Sequence, residues 1–181
     1  MYLAIALGTA AGGAHSRHHG PGANPHIVAT PSATSPYASE SRRDIKALSS
    51  EEQRAWLEGQ GAGVARAAEL NRHPGPMHVL ELATPLALSV EQARRSQELM
   101  IRHKAQVREL GAKLVALERE LDRLFAIGAP ADGAEASRLA EAIGSVAGRI
   151  RASHLRTHIE QASLLSAEQV ERYSRLRGYE N

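Results

Sequence analysis

Histidine is the residue type in this sequence whose spacing could do chemistry. His154 and His158 stand four residues apart in a segment of helical periodicity, which places both imidazoles on one face of a helix, where they can chelate a divalent ion. His103 occupies the apolar stripe of an earlier predicted helix. If the two helices fold back around residue 130 or 131, His158 faces His103 and His154 faces Val107. The sequence therefore predicts a metal centre of His103, His154 and His158.

Further ligands are available near these histidines. Met100 or Glu160 could complete the site with sulfur or oxygen, and imidazole ligands suit Zn, Ni, Co or Cu. No organic cofactor is expected. The alternative is that each histidine is a half-buried residue bonded to a neighbour. A second group, His73, Met77 and His78, surrounds a Pro-Gly-Pro turn and is interpreted as the end of one helix and the start of the next.

Composition excludes several classes of protein. The chain has no cysteine, which excludes disulfides, thiolate metal sites and a cysteine nucleophile. Its 22 Lys and Arg against 20 Asp and Glu leave a net charge of only +2, so no nucleic-acid partner is expected. No catalytic triad, phosphate loop or paired-carboxylate pattern stands out, and an enzyme is not expected.

The elements that must position the histidines are helices, and the predicted fold class is all-α. Apolar residues recur at steps of three and four, and no segment is typical of a strand. Two long stripes predict an antiparallel helical hairpin with shorter flanking helices. The first stripe contains Met100, His103, Val107, Leu110, Leu114, Leu117, Leu121 and Leu124, and the second contains Leu139, Ile143, Val146, Ile150, His154, Thr157, Gln161 and Leu164. The expected helix ranges are 50–71, 77–83, 89–127, a second long helix after the break at 128–133, and 166–177.

The N-terminal part is predicted to be a targeting segment followed by a tether, not a folded domain. Residues 1–14 are apolar and end in small residues, as in a signal peptide or a truncated membrane anchor. Residues 15–40, rich in Pro, Ser, Thr, Ala and Gly, are predicted to form a flexible tether, whose histidines are interpreted as solvated. The helical domain then covers 41–181, and the expected location is the periplasm, with the chain either soluble or tethered.

Two predicted helix starts share the pattern L-S-x-E-Q, in which serine caps the helix and glutamine reaches back to the cap. The motif residues are Leu88, Ser89 and Gln92 in the first copy and Leu165, Ser166 and Gln169 in the second. These paired motifs, in a small helical chain expected to be exported, resemble the L-[ST]-x-x-Q motifs of the Spy/CpxP family of periplasmic proteins. AELNRHPGPMHVLELA at 68–83, HLRTH at 154–158 and LLSAEQVERYSRLRGY at 164–179 resemble its heavy-metal sensor and resistance branch.

The resemblance implies a four-helix protomer that pairs into a curved homodimer. It also implies either a metal-responsive protein that signals to a membrane partner, or an ATP-independent chaperone or envelope-stress regulator that binds unfolded or partner proteins. We expect the metal-responsive function, with the other two as alternatives. For a chaperone, the predicted client-binding surface is an apolar patch bordered by arginines across the hairpin: Leu99, Met100, Ile101, Arg102, Arg149, Arg151 and Arg156.

Overall fold

The computed structural model describes residues 35–61, 63–126 and 130–179, which form helices connected by turns. After a short 3-10 helix at Ala38–Arg42, the helices are α1 (Ser50–Glu58), α2 (Arg66–Glu69), α3 (Pro76–Glu81), α4 (Val90–Leu124), α5 (Gly133–Ser163) and α6 (Ala167–Leu176). Within the described ranges there is no β-strand. The prediction of an all-α chain is confirmed.

Helices α4 and α5 pack along each other in opposite directions and carry most of the core. Arg102 of α4 reaches Glu160 of α5, whereas Gln106, further along α4, is bonded to Ser153, which precedes Glu160 on α5. The two predicted stripes face each other along this pair, and the core cluster at its middle contains Leu110, Leu114, Val146 and Ile150. At about 1.5 Å per residue, the 35 residues of α4 extend over roughly 50 Å.

Both L-S-x-E-Q motifs are capping boxes, as predicted. The Ser89 side chain accepts the N–H of Gln92, and the Gln92 side chain accepts the N–H of Ser89. Ser166 and Gln169 make the same pair of bonds at the start of α6. Leu88 and Leu165 pack beside the buried cluster of Val79, Leu86 and Tyr173.

The prediction of one helix over residues 50–71 is wrong. Helix α1 ends at Glu58, because Gly59 adopts a left-handed conformation with φ of 69° and donates its N–H to the carbonyls of Ala55 and Trp56. The chain turns again at Gly63 before the short helix α2. This break matters for the site, because Gly59 then lies against Val107 of α4, and Gly61 and Gly75 lie against His154 and His158 of α5.

Helix α1 lies unusually close to α4 at one point. A Cβ atom on Gly111, a buried residue in the middle of α4, would lie 2.0 Å from the carbonyl oxygen of Trp56. Only glycine permits this approach. The Trp56 ring then packs against the cores around Leu114 and Val115.

The predicted leader at 1–14 and residues 15–34 of the predicted tether, with its histidines, lie outside the described residues. Among the helices that the structure describes, none combines the length and the apolar character needed to cross a membrane.

Candidate metal centre

Helices α4 and α5 bring two of the three predicted histidines into direct contact. His103 Nε2 and His154 Nδ1 are 3.0 Å apart, and the rings meet edge to face at a centroid distance of 4.3 Å. His154 is buried with 5% of its surface exposed, while His103 is half-buried. The contact is therefore a hydrogen bond inside the helix pair, not a meeting of two solvated side chains.

The predicted register of the two helices is displaced by one turn. The sequence predicted that His103 faces His158 and that His154 faces Val107. In the structure, His103 contacts His154. Helix α4 ends at Leu124, three residues earlier than predicted, and α5 begins at Gly133. At His103 the residue of α5 in contact lies one helical turn earlier than predicted.

Hydrogen bonds fix the proton positions on this pair. The Ser153 hydroxyl donates to Gln106 Oε1 at 2.8 Å, so Ser153 Oγ accepts the Nδ1–H of His103 at 3.2 Å. His103 Nε2 is then the unprotonated nitrogen and accepts the Nδ1–H of His154. With its proton on Nδ1, His154 has its lone pair on Nε2. This nitrogen is buried and has no hydrogen-bond partner among the described residues.

His158 presents a second imidazole nitrogen in the same way. Its Nδ1–H donates to the carbonyl of His73 at 2.7 Å, which leaves Nε2 as the unprotonated nitrogen. Gly75 lies directly against this nitrogen, and a Cβ on Gly75 would be 2.9 Å from it. Glycine at this position therefore preserves the space next to His158 Nε2.

His154 and His158 both border one cavity of about 930 Å³, which is also lined by residues of α4 and of the segments 59–61 and 63–78. Its wall contains His78, His103, His154, His158, Met77 and Met100 as donor residues, with Glu69, Arg66, Lys104 and Arg177 as charged residues. Glycine and apolar residues, including Gly61, Gly75, Leu70 and Pro76, contribute much of the remainder. The cavity combines nitrogen and sulfur donors with an otherwise largely apolar wall.

Burial keeps the histidine pair neutral. It lowers the pKa of His103 from 6.5 to about 4, with a smaller contribution from His158. Burial, and then the neighbouring His103 and His158, lower the pKa of His154 to about 4 as well. Neutral imidazole is the form that binds a metal ion, so protons do not compete for these nitrogens near pH 7.

A half-buried carboxylate at the cavity, that of Glu69, organises the surrounding chain. Glu69 Oε1 accepts the hydroxyls of Tyr173 and Tyr179, and Glu69 Oε2 accepts the N–H of Gly75 at 3.2 Å. Glu69 Oε2 also lies 3.5 Å from His158 Nδ1. We call Glu69, Gly75, His158, Tyr173 and Tyr179 the Glu69 cluster; it joins α2, α5, α6 and the turn before α3.

The predicted metal ligands are brought to one cavity but not into one coordination sphere. In the described part of the chain, no three His, Asp or Glu side chains are grouped closely enough to hold a metal ion. Met100 borders the cavity, whereas Glu160 is exposed and pairs with Arg102. Of the second group, His78 and Met77 border the cavity, and the His73 ring is bonded to the Asn71 carbonyl.

One residue of the predicted client-binding surface is misplaced. Leu99 is 3% exposed and belongs to the core, so its assignment to a surface patch is wrong. Its position on α4, one turn from the buried Ser96, places it toward the interior. Met100 is half-buried, and the remaining residues of that surface, Ile101, Arg102, Arg149, Arg151 and Arg156, are exposed.

Sequence reasoning missed several residues that build this site. Ser153 and Gln106 set the proton order, and a serine adjacent to a stripe histidine is a weak signal that could have suggested this. Glu69 lies next to a turn, and no local pattern connects it with tyrosines more than 100 residues later. Its role depends on tertiary contacts alone.

Comparison with family models, curated proteins and solved structures gives no match for this chain. Its function therefore has to be inferred from the residues of the cavity.

Proposed function

We propose that this chain is a periplasmic metal-responsive sensor or resistance protein, and that its metal ion binds His154 and His158. The observation that carries the proposal is the pair of Nε2 lone pairs four residues apart on α5, one of them buried without a partner in the described part of the chain. A buried polar atom without a partner is costly, and a bound ion would remove that cost.

The hydrogen bonds of these two histidines support their assignment as metal ligands. A ligating histidine ordinarily donates its other ring N–H to a carbonyl or another acceptor, which fixes the tautomer and the orientation of the ring. His158 donates to the His73 carbonyl, and His154 donates to His103. We therefore assign His154 and His158 as ligands, with further donors from the cavity wall, and His103 as the residue that positions His154.

Signal transmission would pass through the Glu69 cluster. His158 contacts both the turn before α3 and Glu69, and Glu69 holds Tyr173 of α6 and the following Tyr179. A metal ion that shifts His158 would thus alter the packing of α6. We propose that this change is read by a membrane signalling partner, in a homodimeric protein with the Spy/CpxP type of fold and an N-terminal leader or anchor.

Metal titration of the full chain tests the proposal. Calorimetry with Zn²⁺, Ni²⁺, Co²⁺ and Cu²⁺, and a separate titration with Cu⁺ under anaerobic conditions, would be run on a variant in which His15, His18, His19 and His26 are alanine. This removes the N-terminal histidines as competing ligands. A single saturable site is expected for at least one ion, and it should disappear in His154→Ala and His158→Ala. His73→Ala is the matched control, because that ring does not border the cavity.

The positioning role of His103 needs a separate readout. His103→Leu should weaken binding about 10- to 100-fold, the usual cost of losing an outer-shell partner. His103→Gln keeps an acceptor for the His154 N–H and should restore part of the affinity. If no ion binds, or if binding is unchanged in His154→Ala, the metal proposal is wrong.

The alternative function is an ATP-independent chaperone or stress regulator, which one surface feature favours. Ile101 and Ile159 are 59% and 58% exposed, and the neighbouring Arg102 and Glu160 form an ion pair across the helices. Apolar side chains beside long charged ones can hold unfolded segments. If the chain is a chaperone, the His154→Ala variant should suppress aggregation of an unfolding client as well as the unaltered protein does. The Ile101→Ser/Ile159→Ser variant should suppress it less.

A further inference from the structure

The methionines of this chain are distributed unevenly. The sequence contains three, of which one is Met1, and the other two, Met77 and Met100, both border the cavity that contains His154 and His158. Met100 is half-buried on α4, and Met77 of α3 is 53% exposed. With three rotatable bonds, a methionine at the edge of a cavity can swing its sulfur inward.

The carboxylate in the same cavity is already engaged. Among the described residues that border it, Glu69 is the single carboxylate. Two tyrosine hydroxyls bind its Oε1, and the Gly75 N–H binds its Oε2. Recruiting Glu69 to a metal would break the Glu69 cluster, so binding through this carboxylate is costlier than binding through the nitrogen and sulfur donors of the cavity.

Charge also bears on the choice of ion. Arg66, Lys104 and Arg177 border the cavity as cations, against the one carboxylate of Glu69. Repulsion by this surplus of positive charge is proportional to the charge of the ion, so it opposes a divalent ion twice as strongly as a monovalent one.

We propose that the ion bound in this cavity is monovalent copper, held by the imidazole nitrogens of His154 and His158 and the thioether sulfurs of Met77 and Met100. Thioether sulfur is a soft ligand and selects Cu⁺, whereas carboxylate and water oxygens suit harder ions. The inference rests on the proposed function, because it names the ion for the same two histidines. It departs from the divalent ion expected from the sequence.

Competition with a chromophoric Cu⁺ chelator tests this choice. The full chain, with the four N-terminal histidines replaced as above, is titrated anaerobically with Cu⁺ in the presence of ascorbate, and separately with Zn²⁺. Met77→Leu and Met100→Leu preserve side-chain volume. Each should weaken Cu⁺ binding by at least the roughly 10- to 100-fold that outer-shell changes produce. The affinity for Zn²⁺ should stay unchanged. Leu70→Ile, on the same wall but without a donor atom, is the control.

X-ray absorption at the copper edge provides a readout on the unaltered protein, independent of whether a variant folds. Sulfur in the coordination shell of copper is expected. The inference is overturned if copper has no sulfur neighbour, or if the Met77→Leu/Met100→Leu variant binds Cu⁺ as tightly as the unaltered protein. The proposed function fails separately, when His154→Ala leaves the binding of every ion unchanged.

Discussion

Gln92 and Gln169, 77 residues apart in the sequence, exchange two side-chain hydrogen bonds. Gln92 Nε2 donates to Gln169 Oε1 at 2.8 Å, and Gln169 Nε2 donates to Gln92 Oε1 at 3.1 Å. Their remaining amide protons bind the carbonyls of Leu164 and Leu86. Because each glutamine also closes its own capping box, the two L-S-x-E-Q motifs form one unit that holds the starts of α4 and α6 together.

This pairing predicts energetic coupling between the two motifs. Gln92→Ala and Gln169→Ala should each lower the free energy of unfolding by about 1–3 kcal/mol, because each removes one bond of a capping box and leaves partner groups unsatisfied. The double variant should cost less than the two single changes added together, by roughly 0.5–3 kcal/mol. Urea denaturation measures all three. Glu52→Ala removes the glutamate of the α1 capping box and is the control; it should add independently to Gln92→Ala.

Stability should fall as the pH is lowered through the range in which only the unfolded histidines bind protons. Burial lowers the pKa of His103 and His154 from 6.5 to about 4, so between these values the unfolded chain takes up more protons than the folded chain. Their contribution is complete above pH 6.5 and is lost progressively toward pH 4. Denaturation curves at intervals of pH measure this slope. His103→Leu/His154→Leu should flatten it between pH 6.5 and 5, and an unchanged slope would contradict the assignment.

Two glycines in the long helices should respond oppositely to alanine. Gly111→Ala should destabilise the protein by about 1–3 kcal/mol, because its Cβ would collide with the Trp56 carbonyl and separate α1 from α4. Gly148→Ala in α5 meets no atom within 4 Å and should stabilise the protein by up to about 1 kcal/mol through helix propensity. Thermal unfolding of both variants is sufficient. Equal effects would show that the close approach of α1 is absent in solution.

The two tyrosines on Glu69 should differ in importance. Tyr173 is 1% exposed, and burial, followed by the bond to Glu69, raises the pKa of its hydroxyl well above 10. Tyr173→Phe should cost about 1.5–3 kcal/mol, as expected for a hydrogen bond to a charged group. Tyr179→Phe should cost less, because Tyr179 is half-buried and water can replace its hydroxyl. Denaturant titration ranks the two, and a larger loss in Tyr179→Phe would contradict this account.

Much of the helical framework could be predicted because its determinants are local. The stripes through Leu114 and Ile150 follow from hydrophobic periodicity, and the starts of α4 and α6 follow from a serine with a glutamine three residues later. The end of α1 was harder to predict. Glycine at position 59 lowers helix propensity by only about 1 kcal/mol, and the packing of α1 on α4 decides where the helix stops.

The site was predicted less well, because it depends on contacts between distant segments. Facing positions on α4 and α5 depend on side-chain packing between the two helices, which places His103 against His154 and not against His158. Sequence spacing identified the histidines. It could not identify which ring nitrogen is free, since that depends on Ser153, Gln106 and the His73 carbonyl.

The Glu69 cluster has a consequence for how the protein is made. Glu69 and Tyr179 are 110 residues apart, so during synthesis from the N-terminus the carboxylate is released from the ribosome long before its tyrosine partners. At about 5–20 residues per second, at least several seconds separate the two events. His158 is synthesised late in that interval, before Tyr173 and Tyr179. Proteolytic loss of the segment after Leu176 would remove Arg177 and Tyr179 from the cavity wall and leave Tyr173 bonded to Glu69, so the finished protein would keep half of this contact and have a more open cavity.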